Sequence, residues 1–142
     1  MIQDPIVAII DILKADAGII ALVATRVFGG ELPRPEAVSM PRKAIAIQAS
    51  GGGVFSTGAN DFIEHSDARF DAFCYGETPF EAGKVRREVH DVLKQLKRQA
   101  INGILIHWVN PAGGFLTARD TDANWPIAFE SFQMFFAERA VI

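Results

Sequence analysis

Cysteine is almost absent from this sequence, because Cys74 is the only one among 142 residues. A single cysteine cannot form an intramolecular disulfide, and it excludes the structural zinc sites that are built from several cysteines. Histidine is scarce as well, and no two histidines have the H-x-x-x-H spacing of a helical metal-binding pair. We therefore expect a fold without disulfides, and neither a metal site nor a cofactor.

An excess of positive charge is also lacking. Lysine and arginine number 14 against 17 aspartates and glutamates, which gives a formal net charge of -3 at pH 7. The whole chain therefore has no electrostatic attraction to nucleic acid, although a local basic face remains compatible with this balance.

Long apolar runs are missing too. No run approaches the roughly 18 residues that a membrane-spanning helix requires. The first residues, MIQDPIVAIIDILKADAG, carry Asp4 and Asp11 and lack the basic region of a signal peptide. We expect a soluble protein that does not enter a membrane.

What the chain does contain is ample material for a core. Hydrophobic residues make up 49% of it, and 11 residues are phenylalanine. Charged residues at 22% and aromatic residues at 10% are typical of a folded chain rather than a disordered one. This length suits one domain, so we interpret residues 1–142 as a single folded unit.

Three helices are predicted from capping signals and apolar spacing. Asp4 followed by Pro5 marks the start of the first helix, and Asp16 caps a second, short one. Thr78-Pro79-Phe80-Glu81 is a capping box with proline at the first helical position. The helix that follows should end near Ala100. Its apolar stripe consists of Ala82, Val85, Val89, Val92, Leu93 and Leu96.

Alternating apolar residues predict the strands. We expect strands over residues 43–50, 68–75 and 104–109, a turn at 110–114, a short strand at Phe115 and Leu116, and a last strand over 125–136. This order predicts an α+β fold. Its sheet is largely antiparallel with four to five strands, the long helix packs on one face, and helices form the N-terminal part.

The segment SGGGVFSTGAND, residues 50–61, is rich in glycine and contains serine and threonine, as phosphate-binding loops often do. Gly53 and Gly58 have the glycine spacing of a P-loop, but Ala59 and Asn60 occupy the positions of its lysine and its serine or threonine. No helix pattern follows either. Without the cation the segment has little attraction for phosphate, so we interpret it as a long flexible connection between two strands. Such connections often become ordered against a partner.

Other chemical signals are weak. Asp120-Thr121-Asp122-Ala123-Asn124 begins like a calcium-binding loop, but Trp125 replaces the required glycine and Ser131 the required glutamate, so we predict a turn. Cys74 shares a strand face with Phe70 and Ala72, which indicates an inert core thiol rather than a nucleophile.

The three histidines lie in different predicted elements. His90 should be partly exposed on the long helix. His107 lies opposite in phase to Ile104, Ile106 and Trp108, which predicts a surface position for it. No catalytic residue stands out, and we expect no enzyme. The alternative is a small α+β enzyme or ligand-binding domain in which Cys74 and a histidine meet in space.

Cations cluster on and after the long helix. The acids Glu81, Glu88 and Asp91 interleave with several of them, which is typical of a solvated surface with ion pairs. The alternative is a basic strip that faces DNA in a channel. The candidate residues for such a lumen or surface strip are Lys94, Lys97 and Arg98.

Four segments together carry a resemblance to a known family: VFGGELPRPEAVSMPRKAIAI (27–47), the glycine segment, ARFDAFCYGETPFEAGKVRREVHDVL (68–93) and WPIAFESFQMFFAE (125–138). Through them, nearly the whole chain resembles the tail-terminator, or tail-completion, proteins of long-tailed bacteriophages, which also occur in phage-like particles such as gene transfer agents. The strand ending in Tyr75-Gly76 and the capped helix after it are the most specific part.

The resemblance implies a structural role in the virion tail or neck, with assembly in the host bacterial cytoplasm. Such proteins form a ring, typically a hexamer, that caps the tail tube, ends tail polymerisation and joins the tail to the head connector. The implied partners are other copies of the chain, the tail tube protein, the head–tail connector or stopper protein, and DNA that passes through the lumen without sequence specificity. A different neck or head–tail joining protein is the alternative within this class.

In that setting the glycine segment gains a use as an assembly-interface loop. The candidate residues are Gly51, Gly52, Gly53, Val54, Phe55, Ser56, Thr57 and Gly58. Val54 and Phe55 would be its apolar anchors against a neighbouring subunit or ring.

Overall fold

The computed structural model describes residues 4–30, 33, 35, 41–55, 64–101, 103–119 and 125–138. Within these residues the chain forms three helices and six strands. In chain order they are α1 Pro5–Ala15, α2 Ala17–Val23, β1 Val27–Gly29, β2 Ala44–Phe55, β3 Glu64–Tyr75, α3 Pro79–Lys94, β4 Gln99–Ile101, β5 Ile104–Arg119 and β6 Pro126–Glu138.

The predicted helix starts are confirmed by their caps. A carboxylate oxygen of Asp4 accepts a hydrogen bond from the backbone N–H of Ile6 at 2.8 Å, and Asp16 accepts one from Ile19 at 3.1 Å. The Thr78 hydroxyl accepts from the N–H of Glu81 at 3.2 Å. These side chains satisfy donors that have no partner inside a helix.

The end predicted for the long helix was wrong. Helix α3 stops at Lys94 rather than near Ala100, and residues 99–101 form strand β4. The apolar stripe is confirmed at four positions, since α3 buries Ala82, Val85, Val89 and Leu93.

The sheet has the strand order β1-β2-β3-β6-β5-β4. The pairings β2–β3, β3–β6, β6–β5 and β5–β4 are antiparallel, and the β1–β2 pairing is parallel. The α+β class is confirmed, but the expected strand number of four to five is too low. Strands β1 and β4, which the prediction missed, have only three residues each and so show no alternation.

The predicted turn at residues 110–114 was also wrong. Strand β5 runs through this stretch without interruption, and its register against β6 shifts between Pro111 and Phe115. Gly113 has a φ angle of 152°, a backbone conformation that favours glycine. The proline and glycines that indicated a turn accommodate an irregularity within one strand instead.

The main core lies between the helices and one face of the sheet. Alternate residues of β3, which include Phe70, Ala72 and Cys74, face the helices as predicted and are buried. Phe70 stacks on Phe132 of β6 with 5.5 Å between ring centroids. We call this side of the sheet the helix face and the opposite side the open face.

A second, smaller cluster lies on the open face. It contains the buried residues Ala44, Ala46, Tyr75, Trp125 and Ile127, against which Phe28 and Phe73 pack. The chain therefore places apolar side chains on both faces of its sheet, and only one face is covered by helices in the described residues.

Candidate assembly surface

A row of apolar side chains crosses the open face from one side of the sheet towards the other. We call this row the apolar belt; its members are Phe28, Ala46, Phe73, Phe129 and Leu116. Each member lies directly opposite the next one in the strand ladder, from β1 through β2, β3 and β6 to β5. Phe73 and Phe129 stack with 5.4 Å between ring centroids. The belt is thus a continuous apolar track at one level of the sheet.

Exposure rises along the belt towards strand β5. Ala46 is 1% exposed, whereas Leu116 is 48% exposed. Phe28, at the other end, is half-buried. Both ends of the belt therefore offer apolar surface for a further contact.

The two sides of the sheet are only partly covered by strands. Strand β1 pairs with residues 45–47 of the 12-residue strand β2, and β4 pairs with residues 104–106 of the 16-residue strand β5. Among the described residues, the remainder of each outer edge has no strand beside it. Such an edge presents backbone N–H and C=O groups that can pair with another chain.

The short strands cover opposite ends of the sheet. We call the end at which β2 stops and β5 starts the upper end. Strand β4 lies at the upper end, beside residues 104–106 of β5. Strand β1 lies at the lower end, because the residues with which it pairs, 45–47 of β2, are level with residues 115–117 of β5. Among the described residues, the lower part of β5 therefore has no strand beside it at the level where β1 lies on the other side.

Phe115 adds exposed apolar surface to this lower part of β5. Its side chain is 60% exposed, and the guanidinium carbon of Arg86 lies 3.8 Å from the centroid of its ring. Phe115 and the adjacent Leu116 point to opposite faces, as successive strand residues do. An unpaired strand edge with large apolar side chains on both faces is a surface suited to strand pairing with a partner.

Beneath Phe115 lies a buried polar network that connects α3 to the sheet. The Glu130 carboxylate accepts a hydrogen bond from Arg86 Nη1 at 2.8 Å, and His90 Nδ1 lies 2.9 and 3.1 Å from its two oxygens. Glu130 is 3% exposed. Burial of a carboxylate is costly unless it is paired, so this network fixes α3 over β6.

The sequence pattern did not predict this network. Glu130 lies in phase with the buried Ala128 and Phe132 of β6, and an acid at a core position is a signal for a buried cation. The partners are four residues apart on α3, where Arg86 and His90 share one helix face. His90 is half-buried, which confirms its predicted partial exposure.

The glycine segment is not a loop over its first part. Gly51–Phe55 belong to β2 and pair with residues 65–69 of β3, so the predicted flexible connection was wrong there. The register shifts between Ala49 and Gly51, and Gly51 has a φ angle of 138°, which favours glycine. The backbone pairing with β3 outweighs the weak intrinsic strand propensity of the glycines. Ser56, Thr57 and Gly58 lie outside the described residues.

Lys94, Lys97 and Arg98, the candidate basic strip, are all exposed. Lys94 ends α3, and the other two lie in the connection to β4. A groove of about 780 Å³ lies between α1, α3 and β4, and Lys97 is the strip residue that lines it. Its charged lining consists of Asp11, Asp16, Glu88, Asp91 and Lys97. The strip therefore borders an acidic groove rather than a wider basic surface.

The expected ion pairs on α3 are present. Arg87 and Asp91 approach to 3.5 Å, as do Lys84 and Glu81. Glu81 also lies 3.1 Å from Lys43, just before β2. The hydrogen bond and charge of Lys43, with a smaller effect of Lys84, lower the pKa of the Glu81 carboxyl.

Cys74 is buried, as the strand pattern predicted. Burial raises the pKa of its thiol; the charge of Arg86 opposes this shift, and that of Glu130 adds to it. A protonated thiol is a poor nucleophile and a poor metal ligand. Within the described residues no group of three or more histidine, cysteine, aspartate or glutamate side chains is arranged to hold a metal ion. The predicted turn at residues 120–124 lies outside them.

The face of β5 on which Trp108 lies was predicted wrongly from strand alternation. Its predicted phase put it with Ile104 and Ile106, but the β5 register shifts between Ile106 and Trp108. Trp108 stacks instead on Phe135, at 5.8 Å between ring centroids, and is 39% exposed. His107 also contacts Phe135, at 5.2 Å, and is half-buried rather than on the surface.

The comparisons with known proteins give a match of fold. No protein-family model and no curated protein matches this chain. A chain in the solved structure "Virion of native gene transfer agent (GTA) particle" superposes with a TM-score of 0.56 at 16% sequence identity, over 91% of this chain and 91% of that chain. At this identity the likeness shows that the two chains share a fold. None of the helices described here is long and apolar enough to cross a membrane.

Proposed function

We propose that this protein is a structural component of a phage-like particle. The observation that carries the proposal is the shared fold with a chain of a gene transfer agent virion, which extends over 91% of both chains. The sequence resemblance to tail-terminator proteins points in the same direction. Its segments contain strands β1 and β6 and most of β3 and α3.

In its finer form, the proposal assigns the chain to a ring that ends the tail. The ring, typically a hexamer, caps the tail tube, stops its polymerisation and joins it to the head connector. Two partly covered and unlike sheet edges on one chain support this assignment. A contact between unlike surfaces repeats from copy to copy and closes into a ring when the rotation is right. The partners are further copies, the tube protein and the connector protein.

We further propose that this role involves no catalysis. Two buried groups that could react have structural explanations: Glu130 is paired with Arg86 and His90, and the Cys74 thiol has a raised pKa. The large apolar side chains at the lower end of β5 instead favour binding to another protein surface.

DNA would pass through the lumen of this ring without sequence-specific contacts. Lys94, Lys97 and Arg98 are the proposed lumen strip, because all three are exposed and close together in sequence. Cations that contact phosphates without reading bases give binding that weakens as salt rises.

Electron microscopy of particles from a producer that lacks this gene tests the proposal. Tails of abnormal length support the terminator role. Tails of normal length beside full, unattached heads support the second candidate, a neck or head–tail joining protein. Normal, infectious particles contradict both.

A further inference from the structure

We propose that copies of this chain join head to tail by extending the sheet, with β1 of one copy pairing along residues 115–117 of β5 in the next. Leu116 then packs against Phe28 of the neighbour. This contact deepens the proposed ring, since it names the surfaces by which the copies meet.

The two three-residue strands occupy different levels in this arrangement. Consider two copies side by side in the same orientation, with the β5 side of one copy facing the β2 side of the next. Strand β4 of the first copy and β1 of the second then both lie in the column between β5 of the first copy and β2 of the second. Strand β4 occupies the upper part of that column, level with residues 104–106, and β1 the lower part, level with residues 115–117. Each short strand thus lies at a level of the column that the other leaves free.

The strand directions are compatible as well. Strand β1 is parallel to β2, and three successive antiparallel pairings lead from β2 through β3 and β6 to β5. Strand β5 therefore runs opposite to β1. In two copies of the same orientation, β1 and the neighbour's β5 form an antiparallel ladder, which gives well-aligned hydrogen bonds.

The apolar belt becomes continuous across such a contact. Its two ends, Phe28 and Leu116, lie at the same level on opposite sides of one sheet. Side-by-side copies bring Leu116, which is 48% exposed, next to the half-buried Phe28 of the neighbour. The contact removes apolar surface from water on the open face while the backbone ladder forms.

Head-to-tail pairing of β1 with β5 fits this surface better than two-fold pairing of β5 with the β5 of a second copy. A β5–β5 contact would leave β1 without a partner on its outer side, whereas the head-to-tail contact engages β1 and the lower part of β5 in one interface. It also uses two unlike surfaces, which is the requirement for a ring of many copies.

Cysteine cross-linking in assembled particles tests the contact. Because Cys74 is buried and its thiol pKa is raised, the background reactivity of the chain is low. We expect the double variant Phe28→Cys/Leu116→Cys to form a ladder of cross-linked oligomers under mild oxidation, and each single variant to form none. Dimers from Leu116→Cys alone, or cross-links only to another protein, would overturn the proposal.

A second pair of variants decides the matter if the cysteine variants assemble poorly. Leu116→Glu changes an exposed position at the proposed contact, and Ile20→Glu makes the same change at an equally exposed position, 48%, on α2. We expect Leu116→Glu to weaken association of copies by about tenfold or more, and Ile20→Glu to leave it unchanged. Circular dichroism would check that both variants are folded. Equal association of the two variants contradicts the contact.

The two levels of proposal can fail separately. If the cysteine variant forms cross-linked ladders but the deletion strain makes normal tails, the contact is supported and the terminator role is rejected. If the deletion strain makes abnormal tails but the cysteine variant forms no head-to-tail cross-links, the terminator role is supported and the contact is rejected.

Discussion

Arg86 and Glu130 form an ion pair at 2.8 Å between α3 and β6, with side chains that are 11% and 4% exposed. The same Arg86 guanidinium lies over the exposed ring of Phe115 on β5. One cation therefore connects the helix, the centre of the sheet and the strand edge that we assign to assembly. The exposed ring of Phe115 therefore contacts the same cation that pairs with the buried Glu130.

Removal of Arg86 should destabilise the fold. Arg86→Met leaves the buried Glu130 carboxylate without its closest cation, so we expect a loss of about 3 kcal/mol in the free energy of unfolding. Urea denaturation followed by circular dichroism measures it. Arg87→Met is the matched control, because Arg87 forms an exposed pair with Asp91 and should contribute less than about 1 kcal/mol. Equal unfolding midpoints for the two variants would contradict a structural role of the buried pair.

Glu81 should contribute an acid-sensitive part of the stability. Its folded pKa is lowered, chiefly by the hydrogen bond from Lys43, so the unfolded state binds a proton more readily. The contribution is therefore present above the unfolded pKa of glutamate and is lost as pH falls through the lowered folded value. We expect Glu81→Gln to reduce the pH dependence of the urea midpoint between about pH 5 and pH 3. A curve parallel to that of the natural protein would count against this coupling.

The glycine segment should act in assembly rather than in folding. We expect Val54→Ser with Phe55→Ser to lower the fraction of chains that enter particles while the isolated chain remains folded. Sedimentation of particle lysates measures that fraction, and Ala49→Ser is a control on the same strand. Unchanged incorporation of the double variant would show that these residues are not anchors.

The basic strip should bind DNA through phosphates only. We expect Lys94→Gln/Lys97→Gln/Arg98→Gln to weaken DNA binding equally for unrelated sequences. The slope of log K against log salt should fall by about 0.9 for each phosphate contact that is lost. A gel-shift titration of the assembled ring at several salt concentrations measures this slope. Lys84→Gln/Arg87→Gln, at exposed cations earlier on α3, should have less effect. Equal slopes for the two sets of variants would remove the strip from the lumen.

Local signals predicted the helix starts well, because a cap is decided by a few adjacent residues. Thr78 and Glu81 needed no information from elsewhere in the chain. The end of α3 was predicted too late, because the chain leaves the helix at Lys94 and then forms β4 against β5. The helical pattern of the sequence contains no signal for that tertiary pairing.

The assembly surface could not be predicted residue by residue for the same reason. Leu116 and Phe28 lie at the same level of the sheet because of the registers of four successive strand pairings. In addition, irregularities in β5 change which face its side chains point to. Glu130 and Arg86 are 44 positions apart. Alternation indicated which strand residues were apolar, but the irregularities decided whether Trp108 faced the core or the open face.

The distribution of tail lengths tests the terminator role most directly. Particles would be prepared from a producer that lacks this gene, with and without the natural gene supplied in trans, and tails would be measured by negative-stain electron microscopy. We expect a broad distribution with overlong tubes and few joined heads in the deletion, and one narrow peak on complementation. A narrow peak of normal, head-joined tails without the gene would contradict the proposed function.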